Sequence, residues 1–276
     1  MAVKSSGDSP PRETWNTGLT SIEPNKILVR GYPIDELMGR IPFGDAVYLM
    51  LTGDLPSASI STLINAMLVS FIDHGVTPPS TLAARNAATT GSSIRGAVAA
   101  GVLGFGRHYG GDILACRRRL DEGLSLVKGP LMAAAATEIA ERLVQADEIP
   151  PPGFGHRFHT RDPRATRIMQ MAHELEVEHR YTRFIRELEH ALKRHPALAD
   201  HPVPINVDGA IAAVSGDLGL APEVADALLL ISRVPGLCAH VLEEQTRERP
   251  MRVVDSLSHQ YDGPFERRVR DTRQVR

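Results

Sequence analysis

The chain has 276 residues, of which 42% are hydrophobic and 23% are charged. This balance is typical of a globular protein that can bury a core as one large domain or as a large and a small one. The formal net charge is −2, from 31 basic and 33 acidic residues. It disfavours general nucleic-acid binding, which requires a basic excess. Two cysteines, Cys116 and Cys238, provide no disulfide framework, which favours a reducing compartment.

The N-terminal part of the sequence predicts a polar lead-in and then a small sheet. Residues 1–13 carry no apolar core of signal-peptide type, and we predict that they are disordered. No later stretch reaches the roughly 18 apolar residues of a membrane span, so we expect a soluble, cytoplasmic protein. The short alternating runs Trp15–Ile22 and Lys26–Arg30, joined at Pro24-Asn25, predict a β-hairpin.

The rest of the chain predicts helices and almost no strand, which makes the expected fold mainly α. Apolar residues from Ile60 to Ile72 recur at helical spacing, with Ser57 or Ser59 as the cap and Gly75 as a left-handed end. Further helices are predicted over residues 79–90, 92–105, 112–126, 131–146, 164–194, 207–218, 222–232 and 236–246. A proline-rich break at 148–153 interrupts the series. The Arg-rich tail from Glu248 is predicted to be loosely structured.

The densest group of functional side chains is the segment Gly153–Arg164, which packs two glycines, two histidines and three arginines into a loop before a helix. Asp162 and Pro163 suit the start of that helix. Glycine lets a ligand approach the backbone, and arginine pairs with carboxylates and phosphates. From composition alone, a solvated basic loop is the alternative.

Asp208 is an isolated acid among apolar residues in Ile205-Asn206-Val207-Asp208-Gly209. An apolar setting raises the pKa of a carboxyl group, which suits a base that works near neutral pH. The alternative is that Asp208 is only a helix N-cap.

A third candidate is Gly104–Gly111, where four glycines surround Arg107, His108 and Tyr109; a simple interhelical turn is the alternative. Asp73-His74 and the arginines between Arg233 and Arg249 are weaker by themselves. His156 and His159 lie three residues apart, but no HExxH or paired CxxC motif accompanies them, so no metal site is predicted.

Taken in order, these segments resemble the citrate synthase superfamily. The matching segments are Leu19–Ile22, Ile27–Leu37, Ala46–Pro56, Asp73-His74-Gly75, Ala88–Ser92, Gly153–Arg157 with Asp162–Ala165, and Asn206-Val207-Asp208. The resemblance covers residues 18 to 254. It implies a multi-helical fold with a large and a small helical domain.

The resemblance also implies chemical roles. His156 would hydrogen-bond the keto or hydroxyl oxygen of the four-carbon substrate, and Asp208 would exchange a proton with the acetyl-CoA methyl group. His74 would bind substrate. Arg164 and Arg233 would hold its carboxylates, with Arg161 as the alternative to Arg164 because the loop is one residue shorter than in typical citrate synthases.

Two further expectations follow from the same resemblance. Arg249 would reach the substrate from the other subunit, which implies a homodimer or a dimer of dimers. Coenzyme A, as part of the substrate and product, would contact Gly153, Phe154, Gly155 and Arg157. No permanently bound cofactor is expected, and a separate CoA ligase is a candidate partner.

The sequence departs from citrate synthases where their Leu-His-Gly-Gly motif would lie. The corresponding segment is His108-Tyr109-Gly110-Gly111, so Tyr109 replaces the histidine that stabilises the acetyl-CoA enol, with Tyr109 or His108 left to act at the thioester oxygen. The lyase portion of ATP-citrate lyase also has an aromatic residue there and an Asn-Val-Asp-Gly segment. The resemblance therefore favours a citryl-CoA lyase that forms acetyl-CoA and oxaloacetate.

Two other functions are left open, a citrate or 2-methylcitrate synthase and a non-catalytic CoA-ester or carboxylate sensor. The expected domain organisation is a large helical domain over 14–125, a small domain over 126–215, and a return to the large domain over 216–276.

Overall fold

The computed structural model describes residues 15–106, 109–110, 112–129, 131–156, 159–198, 203–251 and Gly263. The strands are β1 (Thr20–Glu23), β2 (Lys26–Val29) and β3 (Tyr32–Pro33). The helices are α1 (Ile34–Leu37), α2 (Phe43–Thr52), α3 (Ala58–Ser70), α4 (Pro79–Thr89), α5 (Ile94–Leu103), α6 (Asp112–Leu126), α7 (Met132–Gln145), α8 (Pro163–Glu174), α9 (Arg180–Arg194), α10 (Val207–Asp217) and α11 (Pro222–Arg247). The prediction of a mainly α fold with a small N-terminal sheet is confirmed. The predictions for residues 1–13 and for most of the Arg-rich tail lie outside the described residues.

The predicted hairpin is present, but its first strand is Thr20–Glu23 instead of Trp15–Ile22, and a third strand joins it. β1 and β2 pair antiparallel with Thr20 opposite Val29, and β3 adds to the other edge of β2. The turn passes through Asn25 with a φ of 62°, a left-handed conformation that asparagine tolerates. The three short antiparallel strands therefore form a small sheet that precedes the helices in the chain.

Helix α3 begins as predicted and ends earlier than predicted. Ser57 is the cap, and its side chain accepts a hydrogen bond from the Ile60 N–H. The helix ends at Ser70, because α11 provides partners for the carbonyl groups at its end: the Ser232 hydroxyl donates to Leu68 O, and Arg233 Nε donates to Phe71 O. The following residues, including Asp73 and His74, form a loop instead of a last helical turn.

Helix α11 corrects the prediction of two helices over 222–232 and 236–246. It is one helix of 26 residues that contains Pro235. A proline inside a helix costs about 3 kcal/mol, because it removes one hydrogen bond and clashes with the preceding turn. Burial on both sides of the proline offsets this cost, through Leu228 and Leu229 before it and Leu237 and Val241 after it. By length and hydropathy α11 could cross a membrane, a property that it shares with buried core helices.

The predicted helix over 164–194 is two helices, α8 and α9. The second begins after a break because the Asp217 carboxylate, at the end of α10, accepts hydrogen bonds from the backbone N–H groups of His179, Tyr181 and Thr182. A carboxylate near the first N–H groups of a helix stabilises its start.

Helix α10 is the centre of the protein. Every residue from Gly209 to Gly216 is buried, and the helix packs against α6, α8 and α9. Gly216 is needed for the contact with α9, because a Cβ there would lie 2.6 Å from the Tyr181 ring. One hydrophobic cluster extends from Val47 in α2 to Leu229 in α11. The division into domains at residues 125 and 215 stays a prediction.

Candidate active site

A cavity of about 180 Å³ lies where the first turn of α10 meets α6, α11 and the loop after α3. Its lining residues are Phe71, His74, Phe105, Tyr109, Gly110, Asp112, Asp208, Leu229 and Arg233. Four residues singled out in the sequence therefore meet in one place, although the chain separates them by up to 159 positions. They are His74, Tyr109, Asp208 and Arg233.

Asp208 lies in the first turn of α10 and does not cap the helix. The cap is Asn206, whose side chain accepts a hydrogen bond from the Gly209 N–H at 3.1 Å. The Asp208 carboxyl is thereby available to the cavity. Burial raises its pKa from the ordinary 3.8 to about 7, and the nearby carboxylate of Asp112 adds to the rise, whereas Arg164 and Arg233 oppose it. A carboxyl with this pKa can both accept and donate a proton near neutral pH.

The Gly153–Gly155 loop holds the start of α10 in place. Gly153 O accepts a hydrogen bond from the Asn206 N–H at 3.0 Å, and Asn206 Nδ2 donates to Gly155 O at 3.1 Å. Gly153 has a φ of 82°, and a Cβ there would lie 2.4 Å from Cys116 Sγ. Phe154 is buried in the core. The loop thus fixes the backbone that carries Asp208, while its predicted contact with CoA stays a prediction.

Arg233 brings a buried positive charge to the cavity. It is 2% exposed, its Nε donates to Phe71 O at 2.8 Å, and one terminal nitrogen donates to the Tyr109 hydroxyl at 3.3 Å. Among the described residues, no carboxylate forms an ion pair with this guanidinium. A buried charge without an ionic partner is costly, and an anionic ligand in the cavity would supply that partner.

Tyr109 has two aromatic ring neighbours. It stacks on Phe105 with centroids 5.2 Å apart, and the His74 ring lies 6.5 Å away on nearly parallel planes. Its hydroxyl lies 2.9 Å from the hydroxyl of Ser80. Because Arg233 donates to the Tyr109 oxygen, the Tyr109 proton is directed either to Ser80 or to a ligand. A donor role and a packing role for Tyr109 are both compatible with this geometry.

His156 follows the glycine loop and lies outside the residues that line the cavity. Its ring packs against His159, with centroids 4.4 Å apart, and its Nδ1 accepts a hydrogen bond from the His159 N–H at 3.1 Å. The neutral ring then carries its proton on Nε2. This nitrogen is a donor, as recognition of a keto oxygen requires.

The structure does not bring the other predicted arginines into the cavity. Arg164 donates from Nε and a terminal nitrogen to the two oxygens of Asp162, and Arg161 donates to the Thr166 hydroxyl in the first turn of α8. Arg249 is exposed beyond the end of α11. Their roles toward substrate stay predictions. His108 and Arg157 lie outside the described residues.

Asp112 was missed as a site residue in the sequence. It is the first residue of α6 and faces the cavity together with Asp208, and burial raises its pKa. The available signal was its position: an acid directly after Gly110-Gly111, at the start of a helix. The described lining of the cavity therefore includes two carboxyl groups and one buried guanidinium.

Comparisons with known proteins agree with this architecture. Residues 58–253 match the family model described as citrate synthase, C-terminal domain. The chain therefore belongs to the citrate synthase family. It is 29% identical over 214 residues to a citrate/2-methylcitrate synthase of Bacillus subtilis, and it spans about half of that protein, 52% of its length.

Among solved structures, the citryl-CoA lyase of Hydrogenobacter thermophilus is similar with a TM-score of 0.82 and 36% identity. This similarity covers 93% of the present chain and 97% of the lyase. An ATP citrate lyase of Methanosaeta concilii, in complex with (3S)-citryl-CoA, has a TM-score of 0.74 at 18% identity and covers 94% of this chain and 43% of that one. The second likeness shows the fold alone. The predicted resemblance to this superfamily and its lyases is confirmed.

Proposed function

We propose that this protein is a citryl-CoA lyase, which cleaves citryl-CoA or a close analogue into acetyl-CoA and oxaloacetate. The observation that carries the proposal is the cavity in which Asp208, with its raised pKa of about 7, faces the buried Arg233, for which the described part of the chain provides no ionic partner. The first group can transfer a proton to carbon at neutral pH, and the second can bind a carboxylate. The near full-length similarity to a citryl-CoA lyase supports the choice of reaction.

In the cleavage direction the substrate hydroxyl loses its proton, the bond to the acetyl carbon breaks, and the electron pair of that bond forms an enolate. Protonated Asp208 then donates its proton to the enolate carbon, which gives the methyl group of acetyl-CoA. Arg233 holds a carboxylate of the substrate in position, and the Tyr109 hydroxyl is available to the thioester oxygen. Fixed donors of this kind each contribute several kcal/mol of transition-state stabilisation.

His156 is suited to the oxaloacetate side of the reaction. With the His159 N–H bound to Nδ1, Nε2 donates to the keto oxygen of oxaloacetate. Accepting the hydroxyl proton of citryl-CoA on Nε2 requires the opposite tautomer, in which the bond from His159 is lost. We propose that cleavage begins with this change of tautomer at His156.

The assembly and the CoA partner belong to the same proposal. We propose a homodimer in which Arg249 reaches the cavity of the other subunit, because this exposed residue lies beyond α11 and outside its own cavity. CoA is proposed as part of the substrate and product. A separate ligase that forms the thioester is the expected source of citryl-CoA.

A second candidate is citrate or 2-methylcitrate synthase, which the 29% identity to the Bacillus subtilis protein favours. One experiment separates the two candidates. Purified protein is given citryl-CoA, and oxaloacetate is measured with malate dehydrogenase; in parallel it is given oxaloacetate with acetyl-CoA or propionyl-CoA, and free CoA is measured as thiol. The lyase assignment requires rapid oxaloacetate release and little free CoA, because hydrolysis of the thioester is the step that a synthase adds.

Tyr109 variants refine the test. We expect Tyr109→His to give no gain in citrate synthesis, and Tyr109→Phe to separate a donor role from packing, because it keeps the ring and removes the hydroxyl. A strong rise in condensation with Tyr109→His would overturn the lyase assignment. Binding of CoA esters without turnover in either direction would favour the third candidate, a sensor on this fold.

A further inference from the structure

One face of α11 holds the loop that carries His74 into the cavity. Arg233 binds the carbonyl of Phe71 at the start of this loop. One turn later, Gly236 lies directly against the loop, because a Cβ there would be 2.2 Å from Ile72 O and 3.2 Å from Asp73 Cα. The backbone on either side of Ile72 is thus fixed to the helix before the chain reaches His74.

His240 extends the same face of α11 by one more turn. Its Nε2 lies 2.9 Å from Asp73 Oδ1, and the other carboxylate oxygen of Asp73 accepts the Gly75 N–H at 3.0 Å. Asp73, which directly precedes His74, therefore makes two contacts. Its carboxylate binds the backbone N–H of Gly75, directly after His74, and the side chain of His240 on α11. Burial would raise the pKa of Asp73, but its bonds with Gly75, His74 and His240 outweigh burial and lower it. The contact with His240 is accordingly a hydrogen bond to an ionised carboxylate, which is stronger than one between neutral groups.

The other ring nitrogen of His240, Nδ1, makes this residue unfavourable for the stability of the fold. Its Nδ1 is buried, and among the described residues it has no hydrogen-bond partner. Glu243 Oε2 is 3.9 Å away and accepts a hydrogen bond from Arg85, while Oε1 of Glu243 accepts one from Arg247. An apolar side chain would avoid an unsatisfied buried nitrogen. The bond to Asp73 is the contact that accounts for an imidazole at this position.

We propose that His240 is a positioning residue, which acts through Asp73 to set the place of His74 in the cavity. The proposal rests on the lyase function only in treating His74 as a group that binds substrate. It assigns His240, a residue outside the cavity lining, to the same working unit. The unit consists of the face of α11 at Arg233, Gly236 and His240 together with the loop of Asp73 and His74.

The first test observes His74 without any substrate. In protein labelled with ¹⁵N-histidine, the ring signals of His74 are assigned by their loss in His74→Gln. We expect them to shift in His240→Leu and in Asp73→Asn, and to stay nearer the native position in His240→Gln, whose amide can still donate to Asp73. The matched control is His173→Leu, at a histidine that is exposed on α8. Thermal unfolding of each variant shows that it is folded.

The second test measures coupling in catalysis. We expect His240→Leu to raise KM for citryl-CoA by about 10-fold with a smaller effect on kcat, a size typical of residues that act as a unit. In a His74→Ala background the same substitution should change KM little, because its effect passes through His74. A merely structural role would instead lower stability and give the same factor in both backgrounds.

The outcomes separate the two proposals. An unshifted His74 ring in folded His240→Leu, or equal KM factors in the two backgrounds, would overturn the positioning role. If the native protein does not cleave citryl-CoA, the lyase assignment fails, while the histidine spectra still decide the role of His240. A shift of His74 in the His173→Leu control as large as in His240→Leu would also count against the proposal.

Discussion

Asp208→Asn should stabilise the protein at alkaline pH while it abolishes most of the activity. The folded state raises the pKa of Asp208 from 3.8 to about 7, mainly through burial. Each pKa unit corresponds to about 1.4 kcal/mol, so the folded state favours the neutral carboxyl by about 4 kcal/mol. Asparagine has nearly the same shape and stays neutral at every pH. The variant therefore avoids the cost of a buried negative charge.

The size of this stabilisation depends on pH, between the ordinary pKa of 3.8 and the raised pKa of about 7. Below pH 3.8 the carboxyl is neutral in the folded and unfolded states, and the native protein and the variant should be equally stable at this site. As pH rises from 3.8 to about 7, only the unfolded chain releases the proton, and the native protein loses stability relative to the variant. Above about pH 7 the difference reaches its full size, about 4 kcal/mol in favour of Asp208→Asn.

The measurement is urea unfolding of both proteins at about pH 4.5 and about pH 8, with ΔG obtained by linear extrapolation. Asp54→Asn, at an exposed position after α2, is the matched control and should be within about 0.5 kcal/mol of the native protein at both pH values. Turnover of Asp208→Asn should fall by at least about 100-fold, the usual scale for loss of a positioned acid or base. A variant that is less stable than the native protein at pH 8, or fully active, would falsify the assignment of Asp208 as a buried acid.

Three further substitutions test other parts of the site. Asp112→Asn removes a negative charge beside Asp208, so the pH at which cleavage activity declines should move to lower values in a pH–rate profile. Gly209→Ala places a Cβ 2.2 Å from Gly153 O, and urea unfolding should show a loss of about 1–3 kcal/mol. Arg249→Ala should lose affinity for citryl-CoA. If Arg249 acts across a dimer, mixing this variant with Asp208→Asn should restore activity, because one site of each mixed dimer has both native residues. No gain on mixing, with exchange of subunits verified, would contradict this.

Most of the fold could be predicted because apolar periodicity and caps act locally. Ser57 and Asp162 each accept a backbone hydrogen bond at the start of a helix, as predicted, whereas the cap of α10 is Asn206 and not Asp208. The errors have causes that are distant in the sequence. The gap before α9 depends on a carboxylate at Asp217, 35 or more positions away, and the continuity of α11 through Pro235 depends on burial against several other helices.

Some residues of the candidate site could likewise be identified from the sequence, and others could not. Asp208 and Tyr109 could be singled out from the unusual composition of their segments, whereas His74 and Arg233 were singled out through the resemblance to the citrate synthase superfamily. Asp112 was missed although it follows Gly110-Gly111 directly, because only the structure shows that it shares a cavity with Asp208. His240 likewise gives no local signal, since its meaning depends on Asp73, which is 167 positions away. A residue that acts through a distant partner can be recognised only when the structure shows which residue it contacts.

The contact between Gly153 and Gly209 joins the two segments that most resemble the family. Side chains are excluded on both sides of this contact: a Cβ on Gly209 would lie 2.2 Å from Gly153 O, and one on Gly153 would lie 2.9 Å from Gly209 Cα. The two backbones can approach this closely only if both residues are glycine. The approach also lets Gly153 O and Gly155 O accept the two bonds from Asn206 that fix the first turn of α10. The glycine loop therefore has a structural task that is independent of any ligand. It fixes Asp208 among the residues that line the cavity, and burial there brings the pKa of its carboxyl into the range that proton transfer to carbon requires.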